Sequence, residues 1–185
     1  MKTKRYFNQI LKPYKKIIKE IFGDYTTVRV VIGEKFCCYC RENYDLEIEI
    51  PIFEDILGHQ AFFNKMNKRL NQFKINEYFS NEILSFLHEI GHIKTYNKWN
   101  DFKYVIGTNL ITRIQATYIF RNSLFLTNLC YKKYFNLKLE KNADYWAMKY
   151  IKNNTKKVVK WQNELAKNYQ KILPKLIDKM DLEVM

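Results

Sequence analysis

FLHEIGHIKT, residues 86–95, places two of the chain's three histidines four residues apart, with a glutamate directly after the first. Leu84, Leu87, Ile90 and Ile93 recur around them at helical spacing, and Ser80 can cap the run. The pattern predicts a helix from there through the histidines to about Asn97. On such a helix the i,i+4 spacing sets His88 and His92 on one face, one turn apart, where both imidazoles can bind the same ion. Glu89 sits beside them, poorly placed to be a third ligand and well placed to take a proton from a metal-bound water. Gly91 costs a mid-helix position about 1 kcal/mol relative to alanine, a cost that the close approach of another backbone would explain. The competing reading is two core histidines on an apolar helix. Histidine is rare in this chain, so its recurrence at this spacing with a glutamate between favours the ligand reading.

Upstream of this helix the period changes. Ile10, Tyr14, Ile17, Ile18 and Ile21 give a helical stripe over 8–22 that Gly23-Asp24 ends. YTTVRVVI at 25–32, a turn at Gly33-Glu34 and KFCCYC at 35–40 read as a hairpin. YDLEIEIPI at 44–52 follows as a strand that Pro51 ends or confines to an edge. From about 55 the chain reads as mainly helical. Helices are expected over 55–71, 102–121, 122–134, 137–153 and 155–180, with FKINEYF at 73–79 either a short strand or an irregular lead-in. The last helix carries Val158, Trp161, Leu165, Tyr169, Ile172 and Leu176 on one stripe and Lys160, Lys167, Lys171 and Lys175 opposite, with a break or kink expected at Pro174. Strands first and helices after make an α+β fold: a small N-terminal antiparallel sheet followed by a mainly helical body. A single domain over 1–185 is expected, with 155–185 a helical extension packed on it.

Composition sets outer bounds. A 47% hydrophobic content with three prolines and five glycines argues against disorder. The basic opening MKTKRYFNQI is followed by Lys12, Lys15, Lys16 and Lys19, so no apolar signal core forms, and LFLTNLC at 124–130 is too short to cross a bilayer. Cys37, Cys38, Cys40 and Cys130 do not complete a zinc knuckle. FCCYC alternates as a strand with Cys38 and Cys40 on one face, so free thiols and a cytoplasmic location are expected. The net charge of +13 suits a nucleic-acid, membrane or acidic partner. However, the lysines are scattered among Asn, Ile, Tyr and Phe, as A/T-rich codons would scatter them.

A catalytic zinc wants three protein ligands and an open position. His59, the remaining histidine, precedes a helical pattern in GHQA at 58–61, where a loop or cap role is as natural. Carboxylates serve better. In LEKNADYWAM at 139–148, Glu140 and Asp144 lie four apart on one helix face. Glu140 can coordinate the ion while Asp144 accepts the free ring N–H of a ligand histidine. Ala143 and Ala147 give that helix a small side on which the histidine helix can pack. The competing reading pairs both carboxylates with lysines on the surface.

HEIGH at 88–92 followed by EKNADYWA at 140–147 resembles the gluzincin metallopeptidases, and among them the small ImmA/IrrE-like proteases of phages and mobile elements. The resemblance spans about 20 residues, and the 48-residue gap between His92 and Glu140 is long for that group. It implies a zincin-like body with the HExxH helix packed on an ExxxD helix, and one Zn2+ per chain on His88, His92 and Glu140. Glu89 would be the general base and Asp144 the support of a ligand histidine. It also implies cleavage of an intracellular protein, in some members a transcriptional repressor.

The chemistry would then be metal-assisted amide hydrolysis. Candidates for a second oxyanion donor are His59, Tyr96, Tyr118 and Tyr150. A peptide substrate would lie extended along a sheet edge offered by 44–50 or 73–79. Two other readings stay open: a basic nucleic-acid-binding protein with a structural or vestigial zinc, and a protein-interaction module whose fourth metal position is closed.

Overall fold

The computed structural model describes residues 2–24, 27–33, 37–40, 46–51, 56–95 and 135–184. The predicted helices over 102–121 and 122–134 lie outside them, as do Tyr96, Tyr118 and Cys130.

Helix α1 (Lys2–Phe22) begins six residues before the expected start and carries Pro13 inside it. It buries Ile10, Leu11, Tyr14, Ile17 and Ile18 and stops at Gly23, whose φ of +88° suits glycine and whose N–H donates to Lys19 O at 2.8 Å. Three strands follow: β1 (Arg29–Gly33), β2 (Cys37–Cys40) and β3 (Leu46–Pro51). The sheet order is β1-β3-β2, with β1 parallel and β2 antiparallel to β3. The expected antiparallel hairpin of β1 and β2 is therefore corrected. The third strand inserts between the first two, and the sheet is mixed. Ile48 and Ile50 of this central strand are fully buried, and neighbours on both sides pair its backbone. Gly33 is no hairpin turn but the end of β1. A Cβ there would fall 2.3 Å from the Glu49 carboxylate of the neighbouring strand. Pro51 does end β3, at the centre of the sheet rather than at an edge.

The helices are α2 (Ile56–Gln72), α3 (Asn81–Lys94), α4 (Lys138–Asn153) and α5 (Thr155–Val184). Residues 73–80 form an irregular lead-in, and Ser80 caps α3 as expected, its Oγ accepting from Ile83 N. α3 packs along α4, and α1 along α5. Between these layers lie Tyr14 and Phe86, edge to face at 4.8 Å, with Phe79 and Trp161 also fully buried. Full burial of side chains this large contributes roughly 1.5–3 kcal/mol each.

α5 continues through Pro174 without the expected break. Proline there deprives the Gln170 carbonyl of its helical donor, and Gln170 is exposed, so water can replace the bond. Pro13 in α1 meets the same problem in a drier place. The carbonyl it orphans belongs to Gln9, and Asn168 Nδ2 of α5 donates to it at 3.0 Å. The predicted stripe of α5 packs as read, with Val158, Trp161, Leu165, Ile172 and Leu176 buried and Tyr169 half-buried.

Candidate metal centre

The site forms where α3 crosses α4. Gly91 makes the crossing possible. A Cβ at that position would lie 2.5 Å from the Ala143 carbonyl oxygen and 2.9 Å from its Cα. Ala143 and Ala147 are fully buried on the facing side, so two small residues and a glycine let the backbones touch. That approach brings His88, His92, Glu140 and Asp144, all buried, into one cluster.

His88 Nε2 is 3.0 Å from His92 Nε2 and 3.1 Å from Glu140 Oε2, and His92 Nε2 is 3.4 Å from Glu140 Oε1. His88 Nδ1 faces Asp144 Oδ1 at 2.9 Å. A carboxylate at Nδ1 fixes the proton there, which turns the Nε2 lone pair toward Glu140 and His92. Two imidazole nitrogens and a carboxylate converging on one point need a positive charge between them. A proton can supply it. Burial by itself would lower the His88 pKa, but its contacts with Asp144 and Glu140 outweigh this and hold it at about 9. The same contacts hold both carboxyls below their ordinary range against the opposing effect of burial, Glu140 through His88 and His92 and Asp144 through His88 and Lys65.

A metal ion can supply the charge equally well. One ligand atom from each of His88, His92 and Glu140 lies within 4.8 Å of the others, so these three residues could hold an ion. Atoms at 2.0–2.1 Å from an ion on tetrahedral corners stand roughly 3.3 Å apart, close to the 3.0 Å between the two imidazole nitrogens and the 3.1 Å from His88 to Glu140 Oε2, while the 3.4 Å from His92 is to the other carboxylate oxygen. Among the described residues no fourth ligating group joins them.

Glu89, next to His88 on α3, keeps 8% exposure where Glu140 and Asp144 keep 1%. Among the described residues its carboxylate has no recorded hydrogen-bond or ionic partner, so its oxygens remain available.

Asp144 is held from a side the sequence did not indicate. Lys65 Nζ of α2 lies 2.8 Å from Asp144 Oδ1, the oxygen that also faces His88, and Arg69 Nε lies 3.7 Å from Oδ2. The Lys65 ammonium sits over the rings of Phe62 at 4.7 Å and Phe135 at 4.4 Å. The competing reading of exposed carboxylates is corrected: Glu140 and Asp144 are both buried, and the lysine that Asp144 meets lies in the interior beside His88. Lys65 and Arg69 are four apart on α2, but only the tertiary packing of α2 on α4 links them to the site.

Of the remaining candidates, Tyr150 is not drawn into the cluster. Tyr150 stacks between Trp146 at 5.1 Å and Trp161 at 6.0 Å, ten residues or about 15 Å along α4 from Glu140. His59 lies in the first turn of α2. The edge proposed for an extended peptide is also corrected. Residues 44–50 contribute the central strand, paired on both sides, and 73–79 form no strand. Cys37 is free, its Sγ donating to Glu49 Oε2 at 3.4 Å. No helix among the described residues is long and apolar enough to cross a membrane. No protein-family model, curated protein or solved structure matches the chain.

Proposed function

We propose that the chain is a zinc-dependent peptidase of the gluzincin kind, similar to the ImmA/IrrE-like group, acting on an intracellular protein in the cytoplasm. The observation that carries this reading is the convergence of His88, His92 and Glu140, with the Glu89 carboxylate next to them on α3. Two imidazoles and one carboxylate, with no fourth ligating group among the described residues, form a donor set suited to catalytic zinc. Zinc, when bound, supplies a Lewis acid for the attacking water and the scissile carbonyl. Glu89 removes the proton from that water and returns it to the leaving nitrogen. Asp144 holds the His88 ring with its proton on Nδ1, leaving Nε2 as the donor atom. The terminal strand β2 and the helix α3 are in contact, which puts one side of the sheet near the histidine helix. A transcriptional repressor is the substrate class that the resemblance suggests.

The test is metal content by mass spectrometry on untagged protein, with His88→Ala and Glu140→Ala alongside. One zinc per chain, lost in both variants, is expected. Zinc that survives Glu140→Ala would remove the three-ligand site. Comparing proteins cleaved by the wild type with those cleaved by Glu89→Ala then separates hydrolysis from binding. The Glu89 variant should keep its zinc and lose cleavage by at least about a hundredfold. Equal cleavage by both would refute the general-base role.

A further inference from the structure

The α1–α5 seam divides its charges unevenly. In α1 the only carboxylate is Glu20, and in α5 as far as Ile177 the only one is Glu164. Both are committed toward one end of the seam. Lys16 Nζ lies 2.7 Å from Glu164, and Lys157 Nζ lies 3.0 Å from Glu20, which also accepts from Trp161 Nε1 at 3.2 Å. Toward the other end residues of both helices line a cleft of about 470 Å³. Arg5 and Lys12 from α1 and Lys171 and Lys175 from α5 line it, and among the described residues no carboxylate does. All four cations are exposed, and none has a recorded ionic partner among the described residues. Asp178, Asp181 and Glu183 come only later in α5, past the last of these cations.

We propose that this cleft binds the phosphodiester backbone of single-stranded nucleic acid. Helical rise separates Arg5 from Lys12 by about 10 Å and Lys171 from Lys175 by about 6 Å. The cations thus form two rows along a slot, an arrangement suited to a chain of phosphates rather than to one phosphate. The floor includes Tyr6, half-buried, beside Gln9 and Asn168. An aromatic among cations gives a base a surface to stack on, which a polycarboxylate cannot use. A bilayer would need an apolar fringe on these helices. Of the large apolar side chains exposed among the described residues, only Ile177 lies on either of them. This site shares no residue with the metal cluster, so the two proposals stand or fall separately.

The experiment is fluorescence anisotropy of full-length protein with a short labelled oligothymidylate over a range of salt. The wild type is compared with Arg5→Glu/Lys171→Glu and with Lys152→Glu/Lys156→Glu, a charge-matched pair of exposed lysines at the α4–α5 junction. The cleft pair should weaken binding by about tenfold or more and flatten the salt dependence by roughly 1.4 in slope, two phosphates' worth for a single strand. The control pair should stay within about threefold. Circular dichroism should be unchanged in both, since the four substituted side chains are exposed. Equal weakening by the two pairs would reduce the effect to net charge and overturn the site. So would a lack of binding near physiological salt, or a duplex, polyglutamate or phosphatidylserine vesicles competing as well as unlabelled oligothymidylate.

Discussion

Lys65 and Lys171 are both helical lysines, yet the fold uses them in opposite ways. Lys65 is 12% exposed, with its ammonium against Asp144 and over two phenyl rings, inside a cluster where each cation meets a carboxylate. Lys171 lines a cleft where, among the described residues, no carboxylate joins it. The cluster around His88 is buried, and an unpaired charge there would carry the cost of desolvation. The cleft is wet, so its charges can wait for a ligand at little cost to stability.

The largest expected effect follows directly from that contrast. Lys65→Met leaves Asp144, 1% exposed, with His88 and the more distant Arg69 among the described residues. Breaking a buried pair by removing one partner costs about 3 kcal/mol or more. Urea denaturation should therefore show a clear fall in midpoint, whereas Lys171→Met should not move it. Equal midpoints for the two variants would mean that the cluster is more solvated than its burial indicates, and would erase the distinction.

Proton linkage gives the next effect. In protein stripped with a chelator, His88 titrates at about 9, above the ordinary value of 6.5. A group raised on folding contributes stability that is fully present below 6.5 and is lost as pH rises through 9. The ceiling is about 3 kcal/mol. Glu140 and Asp144 are lowered, so their contribution is present above the ordinary carboxylate range and is lost as pH falls. Chelated protein should be most stable at about pH 5 to 6.5. Saturating zinc should change the alkaline side. The proton leaves before the ion binds, so the stabilisation by zinc should grow from pH 6 to 9. Thermal melts with and without zinc across this range check both slopes. A flat profile for the chelated protein would refute the shared-proton description of the cluster.

The two regions were unequally legible in the sequence. The ligand cluster was readable because helical periodicity is local. Four-residue spacing places His88 with His92, and Glu140 with Asp144, and the small residues Gly91 and Ala143 mark where two helices can touch. Lys65 was not readable, since nothing in residues 56–72 indicates that α2 packs against α4. The sheet failed for the same reason. Each strand was evident from its alternation, but strand order is a nonlocal choice, and β3 took the centre. At Pro174 the local rule overreached, because an exposed carbonyl can be satisfied by water. The cleft lay halfway between these cases. Lys171 and Lys175 were visible as one basic face, but their convergence with Arg5 and Lys12 depends on how α5 lies along α1.

The smallest effect concerns the seam beneath that cleft. Pro13 cannot donate to the Gln9 carbonyl, and Asn168 Nδ2 takes the place of the missing N–H at 3.0 Å while also approaching Ile10 O at 3.3 Å. Asn168→Leu keeps roughly the bulk and removes the donor, leaving a half-buried carbonyl to find water or go without. The expected cost is about 1 kcal/mol. The double variant Pro13→Ala/Asn168→Leu restores the helical N–H, so the Gln9 carbonyl no longer needs the side chain. The second substitution should then cost less in the alanine background than in the wild type, a coupling that a double-mutant cycle measures directly. Additive effects would show that Asn168 only fills space between α1 and α5. Coupling would show that one helix repairs the other's backbone at the basic cleft.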